Sequence, residues 1–194
     1  MIMSQQRYFY YGRIIMKYIP EERCTVSKGF KSIKPVEIRD NVFDLIGNDW
    51  MLITAGTPDN YNTMTASWGG MGVLWGKNVC FVFIRPSRYT YEFMEKNETF
   101  SLSFFTKEWR NALAFCGTRS GRDVDKARET GLKPFPAGNG TTGFEQARII
   151  IECRKIYFQD ITPAQFLDPS IEKNYNGSDY HRMYVGEILD IKVK

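Results

Sequence analysis

The sequence predicts a mainly β fold, an antiparallel barrel with helices inserted between strands. Short runs rich in β-branched and aromatic residues, bounded by clusters of Gly, Pro, Asn and Asp, recur along the chain from Val42. Helical periodicity is confined to short pieces between those runs and does not alternate with them strand by strand. No GxGxxG opens a helix after a strand and no GxxxxGK[ST] occurs, so neither a Rossmann unit nor a P-loop is supported.

The elements follow in order. The pattern becomes strand-like at Val42, and Trp50 to Ala55 is an apolar run that ends in the turn cluster Gly56-Thr57-Pro58-Asp59-Asn60. Asn62 to Trp68 is a second strand, rich in Thr and Ser and broken by Gly69, Gly70 and Gly72. Val79 to Ile84 is a continuous apolar strand, opened by Gly76-Lys77-Asn78 and closed by Arg85-Pro86, and the three strands read as a meander. A helix is expected after Pro86, with Ser87 as its N-cap, Tyr89, Phe93 and Met94 at helical spacing, and Asn97-Glu98 at its end. Phe100 to Phe105 is a strand, and Lys107 to Phe115 a helix with Trp109, Ala112 and Leu113 on one side. Gly117 to Asp125 reads as a polar loop, and Asp125 to Thr130 as a short helix stopped by Gly131. Pro134 to Gly143 reads as a long loop. Ala147 to Phe158 is a long strand with Ile149, Ile151 and Cys153 on one face, and Tyr184 to Val193 closes the fold.

A chain of 194 residues suits one domain with a sizeable core. Its 43% hydrophobic and 25% charged residues argue against disorder. Residues 1–39 carry eight Lys/Arg against three Asp/Glu, whereas residues 40–194 carry eighteen against nineteen. The body is nearly neutral, which speaks against a nucleic-acid-binding face. Cys24, Cys80, Cys116 and Cys153 stand far apart, and with a single histidine a Cys/His zinc site is not expected. Scattered thiols suit a reducing compartment, and the cytoplasm is the expected location. No stretch approaches the ~18 apolar residues of a membrane helix. The run Ile14-Ile15-Met16 stops at Lys17, short of a signal-peptide core of about 7–15 residues. Residues 1–33 are expected to be an extension before a domain at 34–194, with Met16 a candidate start that would leave residues 1–15 loosely ordered.

Three segments and one residue carry candidate chemistry. Arg85-Pro86-Ser87-Arg88-Tyr89-Thr90 sits where a buried strand hands over to a helix. Unpaired N–H groups, two hydroxyls and two forked cations there suit a phosphate; the plain alternative is a helix cap with its arginines in solvent. Asn62-Thr63-Met64-Thr65-Ala66-Ser67-Trp68 can present a polar edge to a planar heterocycle, or be a half-buried strand with its hydroxyls in water. Cys116-Gly117-Thr118-Arg119-Ser120-Gly121-Arg122-Asp123-Val124-Asp125-Lys126 can close over an anion, or be a mobile polar loop. His181 is the lone histidine; it allows one histidine-dependent mechanism, or is a satisfied structural side chain. No GxSxG elbow accompanies it.

Taken in order and spacing, these segments resemble the flavin-reductase-like FMN-binding proteins, especially the flavoredoxin branch. Phe100-Ser101-Leu102-Ser103-Phe104-Phe105 and Asp179-Tyr180-His181-Arg182-Met183-Tyr184-Val185-Gly186-Glu187-Ile188 share in the resemblance, which spans roughly residues 35–193. It implies a Greek-key, antiparallel split β-barrel that forms a homodimer, with FMN held non-covalently near the subunit interface. Carried over by position, Asn62, Thr63, Met64, Thr65, Ala66, Ser67 and Trp68 would form the strand along the isoalloxazine edge. Ser87, Arg88 and Thr90 would hold the phosphate, with Arg85 and Tyr89 beside them. Ser120 and Lys126 would close the site from the loop, and His181 would sit near the ring as the candidate catalytic residue.

The resemblance implies an NAD(P)H-dependent flavin reductase whose electrons go to free flavin or an acceptor protein. A flavoredoxin-type carrier that does not oxidise nicotinamide itself, and a non-enzymatic barrel for flavin or haem, are the other readings open at this point.

Overall fold

The computed structural model describes residues 29–194. Met16, Cys24 and the rest of the expected extension before Gly29 lie outside the described residues.

In chain order the elements are β1 (Lys31–Ile33), β2 (Met51–Thr57), β3 (Asn60–Ala66), β4 (Gly69–Leu74), β5 (Lys77–Ile84), α1 (Tyr89–Lys96), β6 (Thr99–Phe104), α2 (Arg110–Thr118), α3 (Lys126–Thr130), β7 (Pro134–Gly138), β8 (Thr141–Phe144), β9 (Ile149–Asp160) and β10 (Arg182–Val193). The main sheet runs β3-β2-β6-β9-β10-β5-β4, with β1 also on β10, and its ladders are antiparallel. β3 and β4 therefore stand at opposite ends of the path, yet only Ser67 and Trp68 separate them. Three Cα–Cα steps span at most about 11 Å. The sheet must curl until its two ends meet, and they meet without a ladder. The result is a mainly β, split antiparallel barrel.

The expected meander is corrected by this order: β3 and β5 are not neighbours, and the glycines after Trp68 do not break a strand but build β4. A Cβ on Gly69 would lie 2.9 Å from Phe81 O, so close backbone approach explains that glycine. Three other boundaries differ from the sequence expectation. Residues 42–48 are helical, because Asn41 Oδ1 accepts from Phe43 N (2.9 Å) and turns the chain inward. Helix α2 runs through Gly117 to Thr118, beyond the expected start of the polar loop. The segment expected as a loop over Pro134–Gly143 is the hairpin β7–β8, turned by Asn139 and Gly140, both at positive φ (44° and 71°).

Two cores flank the sheet. Along β2, Met51, Ile53 and Ala55 point into the barrel with Phe100, Leu102 and Tyr184. Leu52 points the other way, toward a second core beneath α2 and the β7–β8 hairpin that includes Leu113, Phe135 and Phe144. This is strand alternation with both faces covered. Phe30 joins the second core, stacking on Phe135 with ring centroids 5.8 Å apart. The last residues assigned to the extension, Lys31 to Ile33, pair with the end of β10.

Candidate functional site

The site grows from the junction of β5 with α1. Pro86 ends the strand, and α1 begins at Tyr89 with Arg88 as its N-cap. Ser87 is not the cap: its N–H and Oγ donate instead to Asp179, to Oδ1 at 3.0 Å and Oδ2 at 2.6 Å. Thr90 is fully buried in the first turn. In the amide orientation that satisfies both partners, Asn62 Oδ1 accepts from Thr90 Oγ1 (2.6 Å) and Thr90 N (3.1 Å). One side chain of β3 thereby satisfies two donors at the start of α1, which fixes strand and helix relative to each other.

The opposite wall comes from the end of α2 and the turn into α3. Lys126, only 7% exposed, donates from Nζ to Thr63 O (2.7 Å) and Cys116 O (2.9 Å). Burial lowers its pKa to about 8, opposed by Cys116 and reinforced by the Arg88 charge. The Cys116 thiol is itself pushed up to about 11 by burial, so it stays protonated at neutral pH. Arg88 Nη1 donates to Gly117 O (2.7 Å), joining α1 to α2. A Cβ on Gly121 would fall 1.9 Å from the Asn62 amide, so the turn reaches its position only because residue 121 has no side chain.

These parts enclose a cavity of about 180 Å³, lined by Asn62 and Met64 from β3, Ser87 to Thr90 from the start of α1, the 118–121 turn, and Lys126. The three sequence segments thus converge on one place. Its chemistry is cationic and rich in donors. Lys126 has used two of three ammonium protons on carbonyls. Ser120 Oγ accepts from Arg122 N (3.2 Å) and keeps its own proton to donate. Arg119 donates its backbone N–H to Phe115 O (3.0 Å), and its guanidinium has no hydrogen-bond or ion-pair partner among the described residues. Such a donor set fits a phosphate ester. Thr118, Arg119 and Gly121 line the cavity as part of the segment expected to close over an anion, although only Ser120 and Lys126 of that segment were expected as binding residues.

Other expected residues lie elsewhere or are engaged. Thr63 Oγ1 donates to Ile53 O (3.2 Å) and meets Thr54 Oγ1 at 2.9 Å, while Thr65 Oγ1 donates to Leu113 O. Their hydroxyls are spent inside the fold, because odd positions of β3 face α2 and the second core. Ala66 packs into the barrel. Ser67 and Trp68 line a different groove of about 420 Å³ beside Phe43 and Gly69. Tyr89 packs edge-on to Phe93 (5.1 Å) and carries the Arg122 guanidinium over its ring at 4.7 Å. Arg85 turns away to Asn174 O (2.6 Å), sits over the Tyr175 ring and lies 3.9 Å from Asp179. Asp179 was absent from the expected set; it stands 92 positions from Ser87, and no local pattern signals the pairing.

His181 is 8% exposed, among Trp68 (ring centroids 5.3 Å apart), Phe83 and Tyr175. Its Nδ1 shares a 3.0 Å hydrogen bond with Tyr175 Oη. Burial, with Arg85 and Arg88 acting in the same direction against Asp179, lowers its pKa to about 4. It is neutral at physiological pH, so it can orient by hydrogen bonding but brings no positive charge. Among the described residues no helix is long and apolar enough to cross a membrane.

The sequence profile of the flavin reductase like domain matches residues 44–194. Solved structures share the fold. Flavoredoxin of Desulfovibrio vulgaris (Miyazaki F) is 22% identical with a TM-score of 0.58, covering 75% of this chain and 69% of that one. An FMN-binding protein from Thermus thermophilus with bound p-hydroxybenzaldehyde is 20% identical with a TM-score of 0.59, covering 84% and 82%. The NADH:FAD oxidoreductase SgcE6 of Streptomyces globisporus C-1027 is 15% identical with a TM-score of 0.57, covering 75% of each chain. No curated protein sequence matches the chain.

Proposed function

This chain belongs to the flavin reductase like domain family, and from that premise we propose that it is an FMN-binding oxidoreductase that takes electrons from NAD(P)H. The observation that carries the reading is the cavity in which Arg119, Lys126 and Ser120 offer unspent donors beside the start of α1. Lys126, Ser120 and Arg119 would hold FMN there by its phosphate, and the flavin would supply hydride acceptance and onward electron transfer. The chain's own part is to bind and orient. Lys126 and the arginines balance the phosphate charge, and Asn62 holds the helix start in place. β3, paired on one edge only, leaves its other edge for the polar rim of the ring. Neutral His181, against Trp68, supports the far end of that edge as an orienting group.

We place the protein in the cytoplasm on its dispersed cysteines, and as a homodimer. The cavity of about 180 Å³ is smaller than the ~300 Å³ at which enclosed ligand pockets begin, so a second copy would complete the enclosure. Light scattering should return about twice the 22.6 kDa chain mass; a monomer that still binds FMN contradicts a shared site. The electron acceptor is free flavin or a protein partner.

A flavoredoxin-type carrier is the second reading, supported by the flavoredoxin likeness and by a sequence without a nicotinamide fingerprint. An anaerobic visible spectrum of the FMN-reconstituted protein, taken before and after NADH and then NADPH, separates the two. Bleaching of the flavin bands by either donor supports the reductase. Bands that ignore both donors overturn it in favour of the carrier. Protein that retains no flavin overturns both.

A further inference from the structure

One pair of groups at the cavity wall is already spent on an anion. Ser87 N–H and Oγ–H form a fork that grips both oxygens of the Asp179 carboxylate, at 3.0 and 2.6 Å. Arg85 Nη1 stands 3.9 Å from the same carboxylate. A carboxylate and a phosphate ester are both oxyanions that suit forked donors and a helix start. Ser87 lines the cavity, whereas Asp179 approaches it from the segment leading into β10. Asp179 also holds a positive φ of 57°, sparsely populated by residues other than Gly, Asn and Asp. Its neighbours are anchored separately, Tyr180 by Oη to Glu172 (2.6 Å) and His181 by Tyr175. The carboxylate can therefore leave Ser87 without unfolding the segment that carries it.

We propose that Asp179 is a specificity-determining residue, an internal anion on the Ser87 donors that a flavin phosphate must displace, and so sets how strongly FMN is preferred over unphosphorylated flavin. This rests on the FMN reading above. Displacement moves one negative charge out as another comes in, so Asp179 moderates FMN affinity without touching the ring. Riboflavin, lacking the phosphate, leaves the Ser87–Asp179 pair intact.

The test is a double-mutant cycle on the full chain, with FMN and riboflavin affinities read by flavin fluorescence for wild type, Asp179→Asn, Ser87→Ala and the double variant. Asparagine tolerates the same left-handed backbone, so Asp179→Asn removes charge with little strain. It should raise FMN affinity by about tenfold, a charge-assisted contact being roughly twice as strong as a neutral one, and leave riboflavin within about twofold. Ser87→Ala should lower FMN affinity and shrink the Asp179→Asn gain to about threefold, because the two residues act on one site. A gain of full size in the Ser87→Ala background overturns the proposal. So does an unchanged FMN affinity, or an equal loss for both flavins, which would make Asp179 a structural latch. Wild-type protein that binds riboflavin but prefers FMN no more strongly overturns the phosphate assignment together with this proposal, and wild-type protein that binds neither overturns the FMN reading itself.

Discussion

Lys126 donates to the Thr63 carbonyl at 2.7 Å, so a cation from the first residue of α3 is bolted to the backbone of the strand that borders the site. The ammonium is held where burial works against its charge, and an incoming anion reverses that balance.

FMN affinity should therefore depend on pH. Lys126 loses its proton near pH 8 in the free protein, whereas a bound phosphate raises that pKa. Binding takes up a proton above about pH 8, so affinity falls as pH rises, by at most about tenfold per unit. Fluorescence titrations from about pH 7 to about pH 9.5 should show the fall for FMN and a flat profile for riboflavin. Lys126→Gln should flatten the FMN profile and leave that of riboflavin unchanged.

Arg119 caps the C-terminal end of α2, where a cation is favoured, but its guanidinium has no partner among the described residues. Arg119→Ala should leave the melting temperature within about 1 °C, as exposed substitutions away from special features do. FMN affinity should fall by about tenfold, the worth of a charge-assisted contact, and the loss should shrink at high salt. Equal losses for FMN and riboflavin would place the residue away from the phosphate.

Gly121 meets the Asn62 amide so closely that a methyl there displaces it. The Asn62 amide in turn holds Thr90. Gly121→Ala should destabilise the fold by about 1–3 kcal/mol, the range for overpacking, with FMN affinity falling beyond that of Arg119→Ala. Urea unfolding and flavin titration measure the two effects separately.

His181 is held neutral with a pKa near 4, against 6.5 for an unhindered imidazole. The unfolded chain thus takes a proton below pH 6.5 that the folded chain refuses until about pH 4. Stability is unaffected above pH 6.5 and lost as pH falls between those values, by about 2 kcal/mol at pH 5. His181→Asn should lose less stability between pH 7 and pH 5 than wild type, measured by denaturant unfolding at each pH.

Strand runs such as Val79–Ile84 and the short helix expected over Asp125–Thr130, stopped by Gly131, were legible because local chemistry specifies them. The three segments that contribute to the cavity stood out as candidates too, since glycines, hydroxyls and arginines cluster in sequence before they cluster in space. What escaped is non-local. Thr63 and Thr65 look like ligand-facing hydroxyls until the register sets them toward α2. Ser87 looks like a helix cap until Asp179 arrives from the far end of the chain. The Asn139-Gly140 turn was masked by Pro134 and Pro136, which read as loop but are tolerated in a two-stranded hairpin.

The order of the sheet has a kinetic side. β9 and β10 occupy its middle, with β3-β2-β6 on one side and β5-β4 on the other. Strands that are early in the chain can form hairpins at once, but nothing joins the two halves until the most C-terminal strand threads between β9 and β5. High contact order of this kind slows folding and prolongs exposure of unpaired edges. A chain cut before Arg182 would keep its local hairpins and lose the hinge pin that makes them one barrel.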